Sequence, residues 1–62
     1  QMKYIITYKQ NIELGKRSRQ ITKIIYVYRN KKPTTVQILD LVRDNSEGSF
    51  DPKSIRLTYG ES

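Results

Sequence analysis

The fold of this chain depends on residues 2–14, which read MKYIITYKQNIEL. Every second residue belongs to a mostly apolar set: Met2, Tyr4, Ile6, Tyr8, Gln10, Ile12 and Leu14. The residues between them are mostly polar. Strict alternation over this length is typical of a β-strand with one covered face and one face in solvent. The sequence therefore predicts a long first strand.

A second β-rich run, residues 20–29, follows a break at Gly15. Glycine tolerates positive φ, so we predict a hairpin that turns there. A three-residue loop would place Tyr4 opposite Tyr28, whereas a two-residue loop would bring Val27 to the face of Tyr4. The second run is apolar on both sides, so the pattern leaves both registers open.

Two further elements follow Pro33, which cannot donate to a sheet. Thr34 and Gln37 match a capping box, so we predict a helix over residues 34–45 with Thr34 as its N-cap. Its apolar side chains fall on one broad side. Residues 54–59 then alternate as a last strand, with Tyr59 among the side chains that are expected to point inward.

The order β-β-α-β predicts a small single α+β domain over residues 1–62, with a long N-terminal β-hairpin over residues 2–29. One helix packs on a three-stranded antiparallel or mixed sheet. A right-handed crossover would put the third strand beside the first, which gives the sheet order 2-1-3. This is the minimal layout of a β-grasp-like or a split-βαβ domain.

The helix is too short to cover the first strand. A 13-residue strand spans about 43 Å and an 11-residue helix only about 16 Å. Two outcomes are therefore open. The ribbon bends, with a bulge at Gln10 and Asn11, or its distal half projects as an arm. A homodimer through the ribbon is a further alternative.

Positive charge is concentrated in the first half of the chain. Residues 1–32 hold nine Lys and Arg against one acid, Glu13, whereas residues 33–62 hold three against five acids. This asymmetry indicates an anionic partner on the ribbon side. The candidate contact residues are Lys9, Lys16, Arg17, Arg19, Lys23, Arg29, Lys31 and Lys32.

Two classes of function fit these observations. The first is a small non-enzymatic basic protein that contacts nucleic acid through the cationic hairpin, residues 9–32. A two-stranded ribbon fits a major groove, and exposed tyrosines can stack on bases. The alternative is a protein-binding module or inhibitor that docks its basic ribbon on an acidic partner. A composition rich in Ile, Lys, Tyr and Asn without Ala hints at a phage or mobile element.

Catalytic and metal chemistry find little support in the composition. The chain has no His and no Cys, so the usual zinc sites, imidazole bases and disulfides are absent. Asp40 and Asp44 are expected on a solvated helix face. We therefore expect no enzyme, metal or cofactor. No apolar run approaches the roughly 20 residues of a membrane span, and no secretion signal is seen, so we expect a cytoplasmic protein that does not bind membranes.

Overall fold

The computed structural model describes residues 1–61, with side chains through residue 60. Its elements are β1 (Met2–Leu14), β2 (Arg17–Arg29), α1 (Thr35–Asn45) and β3 (Phe50–Glu61). The strands form one antiparallel sheet in the order β2-β1-β3. The predicted α+β class, element order and sheet order are confirmed. Ser62 of the predicted domain lies outside the described residues.

The hairpin turns through two residues, Gly15 and Lys16, because Leu14 pairs with Arg17. Gly15 has a φ of 65°, and no non-glycine residue from 1 to 61 has a positive φ. Positive φ at the first central residue alone is the pattern of a type II′ turn, whose twist matches that of the strands it joins. The structure thus selects the shorter of the two loops that the sequence left open.

The core lies between α1 and one face of the sheet. Tyr4, Ile6 and Tyr8 of β1 are buried there with Val27 and Val42. The apolar residues that pack around this cluster are Met2, Ile25, Ile38, Leu41, Phe50, Ile55 and Leu57. The alternation of the first strand therefore predicted the covered face correctly.

Tyr59 lies on the predicted inward face of β3 but is not buried there. It pairs with Tyr4 and so lies on the helix side of the sheet, with the two ring centroids 6.0 Å apart. Its side chain is nevertheless 65% exposed. The predicted face is therefore confirmed, but the rest of the described fold leaves the Tyr59 ring largely uncovered at this end of the sheet.

The helix begins as the sequence predicted. Thr34 Oγ1 accepts from the backbone N–H of Gln37 at 3.2 Å, and Gln37 Oε1 accepts from the N–H of Thr34 at 3.0 Å. These reciprocal bonds satisfy two backbone donors that a helix start otherwise leaves unpaired. The predicted capping box is confirmed.

The irregular part of the sheet lies in β3, and the predicted bulge at Gln10 and Asn11 of the ribbon was wrong. The β1–β2 register runs unbroken over the whole of both strands. Along β3 the register shifts, since Thr7 pairs with Arg56 but Lys9 pairs with Asp51. Residues 52–55 therefore bulge out of the sheet.

Side chains hold this bulge in place. Ser54 Oγ donates to the carbonyl of Asp51 at 2.6 Å and accepts from the backbone N–H of Lys9 at 2.8 Å. Asp51 Oδ1 also accepts from the N–H of Lys53 at 3.0 Å. Ser54 thus gives the central strand an acceptor at the point where the ladder is interrupted. Nothing in the alternation of β1 could have revealed this, because the partner strand carries the extra residues.

The distal end of the hairpin projects beyond the rest of the sheet. Pairing of β1 with β3 ends at Gln10, and the last support comes from the Asn11 N–H, which donates to the carbonyl of Ser49 at 2.8 Å. Residues 12–19 continue as a two-stranded ribbon, which we call the arm. The molecule is accordingly elongated, with a longest extent of 43 Å. Of the two outcomes left open, the structure has the projecting arm.

Candidate nucleic-acid interface

The eight candidate cations do not form one patch. Lys23 pairs with the buried Tyr8 and so lies on the helix side of the sheet, and residues of β2 that share its parity lie there too. Lys9, one residue beyond Tyr8, lies on the opposite face. The whole set divides into Arg17, Arg19, Lys23 and Arg29 on the helix side, Lys9 on the other face, Lys16 in the turn, and Lys31 and Lys32 between β2 and α1.

The tip of the arm holds the densest group of these cations. Lys16, Arg17 and Arg19 are all exposed, and they follow one another around the turn. Among the side chains of residues 1–60, the ion pair that the structure shows joins Arg43 to Asp40 at 3.7 Å, so none of the eight candidates has a carboxylate partner within that range. The charge at the arm is therefore available to an anionic partner.

The face of the sheet turned away from α1, which we call the open face, is covered by no helix within the described part of the chain. Along β2 it presents Ile24, Tyr26 and Tyr28, each more than half exposed, and we call these three the β2 stripe. The other members of the open face are Lys3, Ile5, Thr7, Lys9 and Asn11 of β1, Gln20 and Thr22 of β2, and Asp51, Arg56 and Thr58 of β3, so that its three cations face one acid, Asp51. Large apolar side chains in solvent on one connected surface are typical of a binding site.

Cations flank the β2 stripe. The Lys3 Nζ lies 4.8 Å from the centroid of the Tyr26 ring. The Lys9 Nζ donates to Thr22 Oγ1 at 2.8 Å. On the far strand, the Arg56 guanidinium donates to carbonyl oxygens of the β3 bulge at 2.9 and 3.0 Å. The open face thus combines exposed aromatic rings with positive charge.

Sequence reasoning included Lys9 in the site but missed Lys3, Arg56 and the β2 stripe. The missing information was the hairpin register. With a two-residue loop, Tyr26 and Tyr28 lie opposite Ile5 and Lys3, on the face away from the core. Gly15 was the one residue in the sequence that indicated this register, because glycine suits the first central position of a two-residue turn.

A groove of about 470 Å³ lies between the base of the arm and the loop after α1. Glu13 and Glu47 are among its lining residues, and two carboxylates make it a poor place for a phosphate. Among the side chains of residues 1–60, no three or more acidic groups gather as a metal site would require. The open face and the arm are therefore the surfaces to consider for function.

Comparisons with family models, with curated proteins and with solved structures found no match to this chain. Within the described part of the chain, α1 is neither long nor apolar enough to cross a membrane.

Proposed function

We propose that this chain is a non-enzymatic nucleic-acid-binding protein that contacts its ligand through the cationic hairpin, residues 9–32. The observation that supports this most directly is the arm, whose tip carries Lys16, Arg17 and Arg19, exposed and without carboxylate partners among the described residues. Contacts from Lys and Arg to phosphates supply most of the affinity in non-specific nucleic-acid binding.

The spread of the cations supports a polyanion as the ligand. Lys9 and Lys23 lie midway along the hairpin, and Arg29, Lys31 and Lys32 lie at its other end. A single small anion would need these charges to converge on one point. Charges dispersed over a molecule 43 Å long instead suit a phosphate backbone that makes several contacts in succession.

The test compares two matched double variants by fluorescence polarisation with labelled DNA at low salt. Lys16→Ala/Arg19→Ala removes two cations from the arm. Arg43→Ala/Lys53→Ala removes one Lys and one Arg outside the hairpin, and is the control. We expect the arm variant to bind at least tenfold more weakly, since each lost phosphate contact reduces the counterion release that drives binding. Absence of binding by the wild type, or equal loss in both variants, would refute the proposal.

A second candidate function rests on the outer edge of β2. Within the described residues no strand pairs with this edge, which runs for 13 residues without a register shift. Proteins commonly protect sheet edges with prolines and bulges, and β3 has both in Pro52 and its bulge. β2 has neither. Such an edge can accept an extended segment of another protein as an additional strand.

Charge favours an acidic partner for this edge over a second copy of the chain. Antiparallel pairing of two β2 strands along their full length would put Lys23 opposite Lys23 of the second copy, and Arg17 opposite Arg29. Like charges directly opposite one another destabilise a sheet. An acidic segment would instead meet Arg17, Arg19, Lys23 and Arg29, which project on one face of the strand. The predicted homodimer is therefore the weaker form of this alternative.

The two candidates respond differently to one experiment. The tagged protein is used to capture partners from lysate with and without nuclease, and the capture is repeated with Arg19→Glu/Lys23→Glu. The second candidate requires that a partner protein is still captured after nuclease treatment and that Arg19→Glu/Lys23→Glu no longer captures it. The control Lys31→Glu/Lys32→Glu, whose changes lie outside the strand, should still capture that partner. Retention by the Arg19→Glu/Lys23→Glu variant would contradict the second candidate. The cytoplasmic location and the phage or mobile-element origin stay predictions.

A further inference from the structure

We infer that the nucleic acid is single-stranded and that its bases stack on Tyr26 and Tyr28 of the open face. This inference rests on the proposed function and specifies its ligand. Base faces are covered by their neighbours inside a duplex and become available in single strands, where proteins stack them on aromatic side chains. The structure offers such side chains, in solvent, on a positively charged sheet.

Tyr26 and Tyr28 are arranged for successive contacts. They lie two positions apart on one strand, so they share a face and are separated by about 6.7 Å along it. Both are more than half exposed. Between them Val27 is buried in the core on the opposite face, and the strand pairs with β1 throughout. The rings are therefore held on a firmly supported backbone, which reduces the entropy lost on binding.

The cations of the open face lie where a backbone beside stacked bases would need them. Lys3 and Lys9 are on β1, next to the β2 stripe, and Arg56 is on β3 beyond it. Lys9 is six positions beyond Lys3, which corresponds to about 20 Å along the strand. Lys3 lies directly opposite Tyr28 and Lys9 lies opposite Thr22, so phosphates beside the tyrosines and further along β1 can be contacted while bases occupy the rings.

Lys3 has to move for this mode of binding, because its ammonium group lies over the Tyr26 ring. A stacked base contributes more than one exposed cation–π contact does, so exchange of the ammonium for a base is favourable. The displaced Lys3 then has a phosphate as its new partner. No such cation covers Tyr28 among the interactions of the described residues.

A second copy of the chain is a poorer occupant for this face. Two open faces placed together would bring six cations, Lys3, Lys9 and Arg56 of each copy, into one interface with only the two Asp51 carboxylates to offset them. A single-stranded nucleic acid carries negative charge and flat apolar rings in the same molecule. It therefore matches both properties of the open face at once.

The experiment uses the full chain and two probes: an oligo(dT) of about 12 nucleotides and a duplex of the same length. This length lies within the site sizes of small single-strand binding folds. The variants are Tyr26→Ile and Tyr28→Ile, which keep a strong strand-forming residue but remove the ring. Tyr59→Ile is the control, since Tyr59 is 65% exposed on the other face. Tyr26→Phe and Tyr28→Phe keep the ring without the hydroxyl.

We expect oligo(dT) to bind more tightly than the duplex. Each Ile variant should weaken that binding about tenfold or more, as loss of one stacking contact does, whereas the Phe variants and Tyr59→Ile should change it less than about twofold. Equal binding of both probes with unchanged Ile variants would overturn the inference and leave the proposed function standing. Failure of the wild type to bind either probe would refute both this inference and the proposed function. A wild-type dimer in light scattering that Tyr26→Ile converts to a monomer would also overturn the inference.

Discussion

The hydroxyl of Tyr8 lies 2.9 Å from Oγ of Ser46, which joins the central strand to the end of α1. Ser46 Oγ is also only 2.6 Å from the carbonyl of Val42. Serine has one hydroxyl hydrogen, and the carbonyl can only accept, so Ser46 donates to Val42 and the Tyr8 hydroxyl donates to Ser46. Tyr8 is 1% exposed, so this bond satisfies a buried polar group in the core.

Ser46→Ala should therefore destabilise the protein more than Tyr8→Phe. The first variant leaves the Tyr8 hydroxyl buried without a partner, at a cost of about 1–3 kcal/mol. The second removes that hydroxyl and keeps the bond from Ser46 to Val42, at a cost of about 0.5–1.5 kcal/mol. Urea unfolding of both variants measures the free energies. A larger loss in Tyr8→Phe would contradict this assignment of donors and acceptors.

Val42 and Val36 of α1 give a matched test of where the core lies. Val42 is 0% exposed, and Val36 is 67% exposed. Val42→Ala should lower the free energy of unfolding by about 2 kcal/mol through lost burial and the cavity left behind. Val36→Ala should change it by less than about 0.5 kcal/mol. The change in helix propensity is the same at both positions, so equal effects would show that α1 does not pack as described.

Gly15 is the residue whose backbone the turn requires. Its φ is 65°, so Gly15→Ala should cost about 1–3 kcal/mol of stability through backbone strain. Gly60→Ala is the control, because a Cβ at Gly60 would meet nothing within 4 Å and its φ is not positive. Thermal unfolding followed by circular dichroism measures both variants. A neutral Gly15→Ala would argue against the two-residue turn and, with it, against the outward placement of Tyr26.

The sequence predicted the elements that depend on local patterns. Alternation along residues 2–14 identified the covered face of β1, and Thr34 with Gln37 identified the start of α1. The bulge in β3 could not be predicted, because it depends on Ser54 bonding to Lys9, which is distant in sequence. The sequence predicted β3 only over residues 54–59, whereas the strand runs from Phe50 to Glu61, because the bulge interrupts its pattern.

The surface was less predictable than the fold because one residue of register decides which face each side chain of β2 occupies. That strand is apolar on both sides, so composition could not choose between the registers. The charges were counted correctly and placed along the hairpin, but the sequence could not show that the strands distribute them over two faces. The position of Lys3 beside Tyr26 could be recognised only from the pairing of β1 with β2.

The most direct test of the central claim is the salt dependence of nucleic-acid binding. The logarithm of the binding constant is measured against the logarithm of salt concentration for the wild type and for Lys16→Ala/Arg17→Ala/Arg19→Ala. Each phosphate contact contributes about 0.7–0.9 to the slope, so the variant's slope should be shallower by about 2–3 if all three cations contact phosphates. An unchanged slope in the triple variant would contradict the account, because the arm would then make no contact with the backbone of the ligand.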